Sequence, residues 1–355
     1  MSPAEVIPLP VFGEFVLSGF LSEQTTADHI SKRQKEGLHL STNITATQKP
    51  KNDKWSRIKR KLAQDWQLYL FVLPAIIYYF VFNYIPLYGI QIAFKDYKAV
   101  LGINGSPWVG LKHFQAFFSG YLFKDLILNT LILNLGNIVL SFPIPVILAL
   151  LLNRLEGPKL KKFTQTVIYI PHFVSTVVLA GMLFIFLDPT NGFINLLIKS
   201  LGGTPQYFMA DPNWFRPVFI LSNIWQSAGW GTIVYIAALT GVDPELYESA
   251  KIDGANIPQQ IWYIDMPTIV PMAMMMLILD SGKVMAGNMQ KTLLLQTAAN
   301  KATSNTIGVY VYTMGLTSGQ FSYTAAIGLF QNVISFVMVM TVNSISKKLS
   351  STSMF

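Results

Sequence analysis

The residues of this chain that could do chemistry are sparse, and they point to binding rather than to bond breaking. The sequence holds no cysteine, which excludes disulfides, thiolate metal sites and a cysteine nucleophile. No Gly-x-x-x-x-Gly-Lys-Ser/Thr phosphate loop occurs, so any nucleotide must be hydrolysed by another chain. The four histidines are far apart in sequence and predict no metal site; they are His29, His39, His113 and His172.

One apolar segment carries polar and aromatic side chains of the kind that bind sugars. Amides at membrane depth are costly unless they face a partner or water. A sugar ring offers hydroxyl groups to amides and C–H surfaces to aromatic faces. Packing between helices is the alternative, with Gly229 and Gly231 allowing close approach, and packing is favoured for Trp230. The candidates for a translocation path in this segment are Asn223, Trp225, Gln226 and Tyr235.

Asp280 is the one clear carboxylate well inside an apolar run. An acid at membrane depth is a candidate functional group, so we include Asp280 in the substrate path. Lys283 follows three residues later, and an ion pair between the two near the outer interface is the alternative.

Composition places these residues in a membrane. Hydrophobic residues make up 52% of the 355 positions and charged residues 12%, about half the charge of a soluble domain. Several apolar segments are each near the length that crosses a hydrocarbon core. The pattern predicts an all-α polytopic membrane protein with about six transmembrane helices, at 68–94, 126–152, 167–187, 217–241, 266–282 and 323–343.

The distribution of Lys and Arg predicts the topology. The net charge of +8 could suggest nucleic acid, but the basic residues flank membrane segments, so we expect lipid and no nucleic acid as a partner. Of the 26 Lys and Arg, 17 lie in 1–61, 153–163, 242–265 and the C-terminus, and 9 lie in the intervening regions. The positive-inside bias therefore predicts that both termini and the loop at 242–265 are cytoplasmic.

The chain divides into three predicted regions. Residues 1–61 are a cytoplasmic N-terminal tail, partly disordered, that ends in a basic juxtamembrane stretch. Residues 62–349 form the transmembrane domain, in which the polar stretch 283–322 is an external or re-entrant layer. Residues 350–355 are a C-terminal tail.

A polar elbow interrupts the apolar pattern between the fourth and fifth segments. Asp243 suits an N-cap and Pro244 the first helical position. Gly254 suits the left-handed end of a helix, and Pro258 a fresh start. The sequence predicts a helix, a turn and a second helix on one side of the membrane.

The elbow resembles the Glu-Ala-Ala loop of permease subunits in binding-protein-dependent (type I) ABC importers. Glu248-Ser249-Ala250, Gly254, Ile264, Met266 and Pro267 keep the spacing of that loop, with Ser249 in place of Ala and Met266 in place of Leu. Around the first span and near the C-terminus the chain is similar to the carbohydrate branch of the family, in particular to permeases for oligo- and polysaccharides such as alginate. The resemblance extends over residues 62–349 and includes the stretches 70–75, 83–94, 108–114 and 325–330.

The resemblance implies a transport subunit that is not itself an enzyme. Its elbow, 243–266, would dock on an ABC ATPase dimer that binds the ATP and Mg²⁺, so this chain needs no cofactor. The path would be formed with a second permease, in a homo- or heterodimer, in the inner membrane. An extracytoplasmic solute-binding protein would deliver an oligosaccharide. The coupling residues implied are Tyr247, Glu248, Ser249, Ala250, Asp253, Gly254, Ala255 and Pro267.

Two other classes of protein remain as alternatives. An ion-gradient-driven secondary transporter would need intramembrane ionisable relays or inverted repeats, and only Asp280 stands out. An intramembrane enzyme would need a nucleophile and a base, or a metal site. His172 and Asp280 could meet, but no motif accompanies them.

Overall fold

The computed structural model describes Lys61 and residues 63–350, with side chains as far as Lys348. The tail and basic stretch predicted for residues 1–60, and residues 351–355, lie outside the described residues. The chain divides between Ile77 and Tyr78 into two units. The first unit contributes most of helix α1, and everything else reported below belongs to the second.

Helices make up about three quarters of the described chain. Lys95 and Trp108 form an isolated antiparallel bridge, and no strand occurs in the described residues. A π-helical turn at Phe80–Tyr84 and a 3₁₀ stretch at Ile85–Phe94 follow α1. The α-helices are α1 Trp66–Tyr79, α2 Gly102–Gly105, α3 Lys112–Phe118, α4 Phe123–Ser141, α5 Pro143–Arg154, α6 Pro158–Tyr169, α7 Thr176–Phe186, α8 Phe193–Ser200, α9 Pro212–Leu239, α10 Pro244–Ile252, α11 Ile257–Gln260, α12 Met266–Ser281, α13 Met289–Leu295, α14 Lys301–Ser304, α15 Ile307–Tyr312 and α16 Phe321–Ser350.

The predicted all-α membrane fold is confirmed. Within the described residues, four helical stretches are long and apolar enough to cross a bilayer, or five if the bent pair described next is one span, against about six predicted. The four are Trp66–Phe94, Phe123–Arg154, Ile257–Ser281 and Phe321–Lys348. The segment predicted at 167–187 falls in a pair of helices, Pro158–Phe173 and Thr176–Phe186, that meet at 95°. The segment predicted at 217–241 forms the 28-residue helix α9, whose amides and hydroxyls make it less apolar than the other four.

Helix α9 is the central helix of the second unit. It packs against α4, α5, α12 and the 3₁₀ turn Ile170–Phe173. Phe215 and Phe219 pack near its start with Leu133 and Leu295. Near its end Tyr235 and Leu239 join a second cluster, which includes Ala149 and Ile269.

The second span contains Pro143 and Pro145, and a proline pair in a helical segment predicts a kink or break about one turn earlier. Helix α4 ends at Ser141 and α5 begins at Pro143, so the break falls at Phe142, three residues before Pro145. A proline has no N–H to donate and its ring crowds the preceding turn, so the helix changes direction there.

Gly229 brings α9 against the backbone of the bent helix pair. A Cβ atom built on Gly229 would overlap the carbonyl group of Ile168. Because backbone atoms cannot rotate away as a side chain can, the position requires glycine. Gly181, in α7, is a helical glycine with no atom near its own Cβ position.

We predict that Gly229→Ala destabilises the protein by about 1–3 kcal/mol, because the added methyl group must push two helices apart. Gly181→Ala is the matched control and should leave stability unchanged or slightly raised. Thermal unfolding of the purified protein in detergent, followed by tryptophan fluorescence, measures both. Equal melting temperatures for the two variants would contradict the packing argument.

Candidate functional site

The elbow contains two helices, α10 and α11, and each has a capped N-terminus. The Asp243 side chain accepts a hydrogen bond from the backbone N–H of Glu245 (3.0 Å), and Pro244 opens α10. Asn256 and Gln259 form a capping box at the start of α11, in which each side chain accepts from the other residue's backbone N–H. The two helix starts are therefore fixed by local hydrogen bonds, as the sequence predicts.

The turn between these helices depends on Gly254. Its φ is +77°, in the left-handed region that favours glycine. The Ala255 N–H donates to the Ala250 carbonyl (2.8 Å), and the Gly254 N–H donates to the Lys251 carbonyl (3.1 Å). This pair of bonds is a Schellman motif, which satisfies carbonyls that the end of α10 would leave free.

One side of the elbow is open. Glu248, Ser249, Asp253 and Gly254 are exposed, and no hydrogen bond or ion pair holds the Glu248 side chain within the described part of the chain. Ile252 is 86% exposed, an unusual state for a large apolar side chain outside a membrane span. Pro267, in the first turn of α12, is also exposed.

The other side of the elbow is anchored by a cluster of four side chains, two of them buried and two partly buried. Arg154, the last residue of α5, donates to Asp265 (2.5 Å) and to the Gln260 side-chain oxygen (2.9 Å). The Tyr247 hydroxyl donates to the other Asp265 oxygen (2.5 Å). The Gln260 amide donates to the Ala255 carbonyl (3.0 Å). We refer to Arg154, Tyr247, Gln260 and Asp265 as the Arg154 cluster.

The Arg154 cluster is closed to solvent on the Asp265 side. The Asp265 side chain is fully buried, whereas the Arg154 side chain is 20% exposed. The guanidinium also lies over the Tyr247 ring, 4.9 Å from its centroid. Burial, followed by the hydrogen bond to Asp265, raises the pKa of Tyr247 to about 12. The phenol therefore keeps its proton and remains a donor at neutral pH.

Residues predicted to couple to an ATPase thus occupy both sides of the elbow. Tyr247 points into the Arg154 cluster, and Ala250 and Ala255 are partly buried. Arg154, Gln260 and Asp265 were not predicted from the sequence. Arg154 was a weak signal for the cluster, because a basic residue at the end of an apolar helix is also typical of a membrane boundary.

A second feature of the unit is a cavity of about 910 Å³ between α4, α5, α9 and α12, with both apolar and polar residues in its wall. Its volume falls in the range of sites that hold drug-sized ligands. Its polar and aromatic lining residues are Asn134, Asn137, Ser141, Phe142, Phe219, Asn223, Ser227, Trp230, Tyr235, Asp280, Lys283 and Asn288.

Three of the five predicted path residues line this cavity: Asn223, Tyr235 and Asp280. Trp225 does not line it and is 48% exposed. Gln226 donates to the Val174 carbonyl (2.7 Å), a contact between helices. Asp280 accepts from Lys283 (2.8 Å), so the ion pair expected as the alternative forms, at the wall of the cavity.

The cavity also contains residues that the sequence analysis missed. Asn134, Asn137 and Ser141 follow one another at intervals of three and four residues, which places them on one face of α4. That spacing of polar residues in an apolar span could have identified this face of α4 from the sequence. Asn223 donates to Asn137 (2.9 Å), which links α9 to α4 across the cavity wall.

Trp230 is part of the cavity wall. It also packs between helices, which is the role that the sequence favours for it. Its indole stacks on the His172 ring, with centroids 4.4 Å apart and planes 5° apart. Phe173 meets the same indole edge-on. Within the described residues no three His, Asp or Glu side chains lie close enough together to hold a metal ion.

Comparison with known proteins gives one family. The family described as "Binding-protein-dependent transport system inner membrane component" matches residues 141–351, a range that contains the elbow and most of the cavity lining. The polygalacturonan/rhamnogalacturonan transport system permease protein YteP of Bacillus subtilis is 45% identical over 84% of this chain and 93% of its own. Protein LplB of the same organism is 40% identical over 83% of this chain and 92% of its own.

Solved structures give the same fold. A bacterial ABC transporter involved in the import of the acidic polysaccharide alginate is similar at a TM-score of 0.77 and 36% identity, over 83% of this chain and 99% of the matched chain. The alginate transporter in complex with a periplasmic protein that holds an alginate pentasaccharide matches at the same TM-score and identity.

We predict that Arg154→Met destabilises the protein by about 3–5 kcal/mol, because it leaves the Asp265 carboxylate buried without its cation. The double variant Arg154→Met/Asp265→Leu removes both charges and should regain most of that loss. Thermal unfolding in detergent compares the two with the unchanged protein. A single variant as stable as the unchanged protein would show that the ion pair does not stabilise the elbow.

Proposed function

Since the chain belongs to the family of inner-membrane components of binding-protein-dependent transport systems, we propose that it is the permease subunit of an ABC importer for oligo- or polysaccharides. The observation that carries this proposal is that one unit contains both a cavity lined by amides and aromatic rings and an elbow with an open outer side. The first suits a sugar, and the second suits a docking partner.

The substrate class follows from the cavity and from the relatives. Asn137, Asn223 and Ser227 can bond sugar hydroxyls, and the Trp230 indole can lie against a sugar ring. YteP is named for polygalacturonan and rhamnogalacturonan, and the similar solved transporter imports alginate. Oligosaccharides cut from acidic polysaccharides are therefore the substrates that we propose.

The subunit that hydrolyses ATP is a separate ATPase, and it binds the ATP and Mg²⁺. We propose that the open side of the elbow docks on it, with Glu248, Ser249 and Ala250 at the contact and Ile252 covered by it. A helix held in a groove of the ATPase converts closure of the ATPase dimer into movement of the attached spans. Different contacts in the two states of the ATPase then favour inward or outward access.

The path requires a second permease and an outside binding protein. The cavity is open on one side, so one copy of this chain does not enclose a sugar. A second permease, the same or a different chain, would complete the wall. The solved alginate complex contains a sugar-loaded periplasmic protein, and we propose that this chain has such a partner. We also propose that both termini of this chain and the elbow lie in the cytoplasm.

The alternative of an ion-gradient-driven transporter has no support. Asp280, the one acid that could carry a proton, is paired with Lys283. The matched family is binding-protein-dependent.

Gly254→Arg should leave insertion intact but uncouple ATP hydrolysis from uptake. The new side chain would project into the open space around Gly254, where the ATPase docks, while the positive φ costs about 1–3 kcal/mol. Gly202→Arg is the control, because Gly202 has φ +81° and equally open space but lies in a loop predicted to be external. We expect at least a tenfold loss of ATP-driven sugar uptake in vesicles for Gly254→Arg only; uptake at the unchanged level would contradict elbow docking.

The absence of native cysteines allows a direct test of orientation and partner. Ser249→Cys, at an exposed position of the elbow, should react with an impermeant maleimide only from the cytoplasmic side and should crosslink to a nucleotide-hydrolysing chain in native membranes. Thr204→Cys, at an exposed position of the predicted external loop, should react from outside and give no such crosslink. Labelling of Ser249→Cys from outside would place the elbow on the wrong face for an ATPase.

A further inference from the structure

The Arg154 cluster connects the end of α5 with two consecutive helices that lie far away in the sequence. Arg154 closes α5, Tyr247 lies in α10, and Gln260 and Asp265 lie on the helix that begins at Ile257. Arg154 bonds both residues of that helix, and Asp265 bonds both Arg154 and Tyr247. The cluster therefore fixes the elbow to the end of α5 through two directional hydrogen bonds, and a third bond, from Tyr247 to Asp265, joins the two helices of the elbow.

The helix that ends at Arg154 continues to the cavity. Phe123–Arg154 forms one membrane-spanning stretch, broken only at the prolines. Its residues Asn137, Ser141 and Pro145 line the cavity. From Pro145 to Arg154 the helix rises about 14 Å. Arg154 thus lies between the elbow surface and the wall that would face the substrate.

Stability alone does not require an ion pair at this position. Apolar residues of similar volume often replace a buried ion pair at no cost in stability. An apolar contact, however, tolerates sliding, whereas a guanidinium that bonds two acceptors holds one relative position. The polar groups are therefore suited to keeping α5 and the elbow in register while both move.

We propose that the Arg154 cluster is the joint that transmits movement of the elbow to the cavity wall, with Arg154 and Asp265 as positioning residues. The proposal rests on the proposed function, since it needs an ATPase that moves the elbow. It goes beyond it by naming the internal contact through which hydrolysis opens the path.

The test uses the whole importer, reconstituted in vesicles with its ATPase, second permease and binding protein, with oligogalacturonate as the probe. The readout is the number of sugars taken up per ATP hydrolysed. For Arg154→Met/Asp265→Leu we expect this ratio to fall at least tenfold, while the binding protein still stimulates hydrolysis and the melting temperature stays near that of the unchanged protein. A purely structural cluster would give an unchanged ratio once stability is restored, and that result would overturn the proposal.

Two further variants keep the test decisive. Arg154→Lys/Asp265→Glu retains an ion pair but lacks the guanidinium that bonds two acceptors in a fixed geometry. Its ratio should therefore fall at least threefold, and an unchanged ratio would contradict the role of that geometry. Tyr247→Phe removes only the hydroxyl that donates to Asp265. It should lower the ratio about threefold in a normally folded protein, and an unchanged ratio would count against the joint even if the double variants failed to fold.

Failure of the proposed function would look different. If the unchanged complex neither takes up oligogalacturonate nor raises its ATP hydrolysis when the loaded binding protein is added, the substrate or partners are wrong. If the unchanged complex works and the apolar double variant works equally well, only the joint is wrong.

Discussion

A bilayer offers no water to a polar group, so every amide and charge at membrane depth must find a partner in the protein or a water-filled space. The backbone meets this constraint by forming helices. The side chains meet it through contacts between helices. Asn129 donates to the Ala302 carbonyl (2.8 Å) and accepts from Arg216 (2.9 Å), and Gln226 donates to the Val174 carbonyl. In these contacts the protein supplies the hydrogen bonds that water would otherwise make, and the bonds hold the helices together.

The polar residues that are left on the cavity wall are of a different kind. Asn137 and Asn223 bond each other, but they remain at the edge of a cavity where a ligand can reach them. Trp230 is supported from behind by His172 and has one side on the cavity. A wall that combines amides with aromatic rings suits a molecule that has both hydroxyl groups and C–H surfaces. The arrangement therefore agrees with the sugar substrates named for the relatives.

The elbow shows the opposite balance on its two sides. Inward, Asp265 is completely buried and bonded through both oxygens. Outward, Glu248 and Ile252 are exposed, and a glycine turn leaves open space around it. A segment that is rigid on one side and unoccupied on the other is suited to receiving force from a partner. The same short helix, α10, contributes residues to both sides. A change that shifts α10 would therefore alter the anchored side and the open side together.

Local features of the fold could be predicted because neighbouring residues determine them. Asp243 and Pro244 start a helix, Gly254 ends it, and the prolines after Ser141 break a span, whatever the surroundings. The family could also be predicted, because the elbow keeps its spacing within a few turns of chain. The Lys and Arg counts likewise give an expected orientation without any knowledge of helix packing.

The partners of distant residues could not be predicted. Trp225 and Trp230 lie about 140° apart around one helix, and both faces of α9 carry polar and aromatic residues, so the pattern did not indicate which tryptophan reaches the cavity. Arg154 and Asp265 are 111 positions apart, and each alone looks like an ordinary charge at a membrane boundary. The sequence by itself determined the helices, the membrane class and the elbow, because those depend on near neighbours and on composition. Only the tertiary structure decided which polar groups pair and which face the cavity, because that depends on how each helix is rotated against helices far away in the chain.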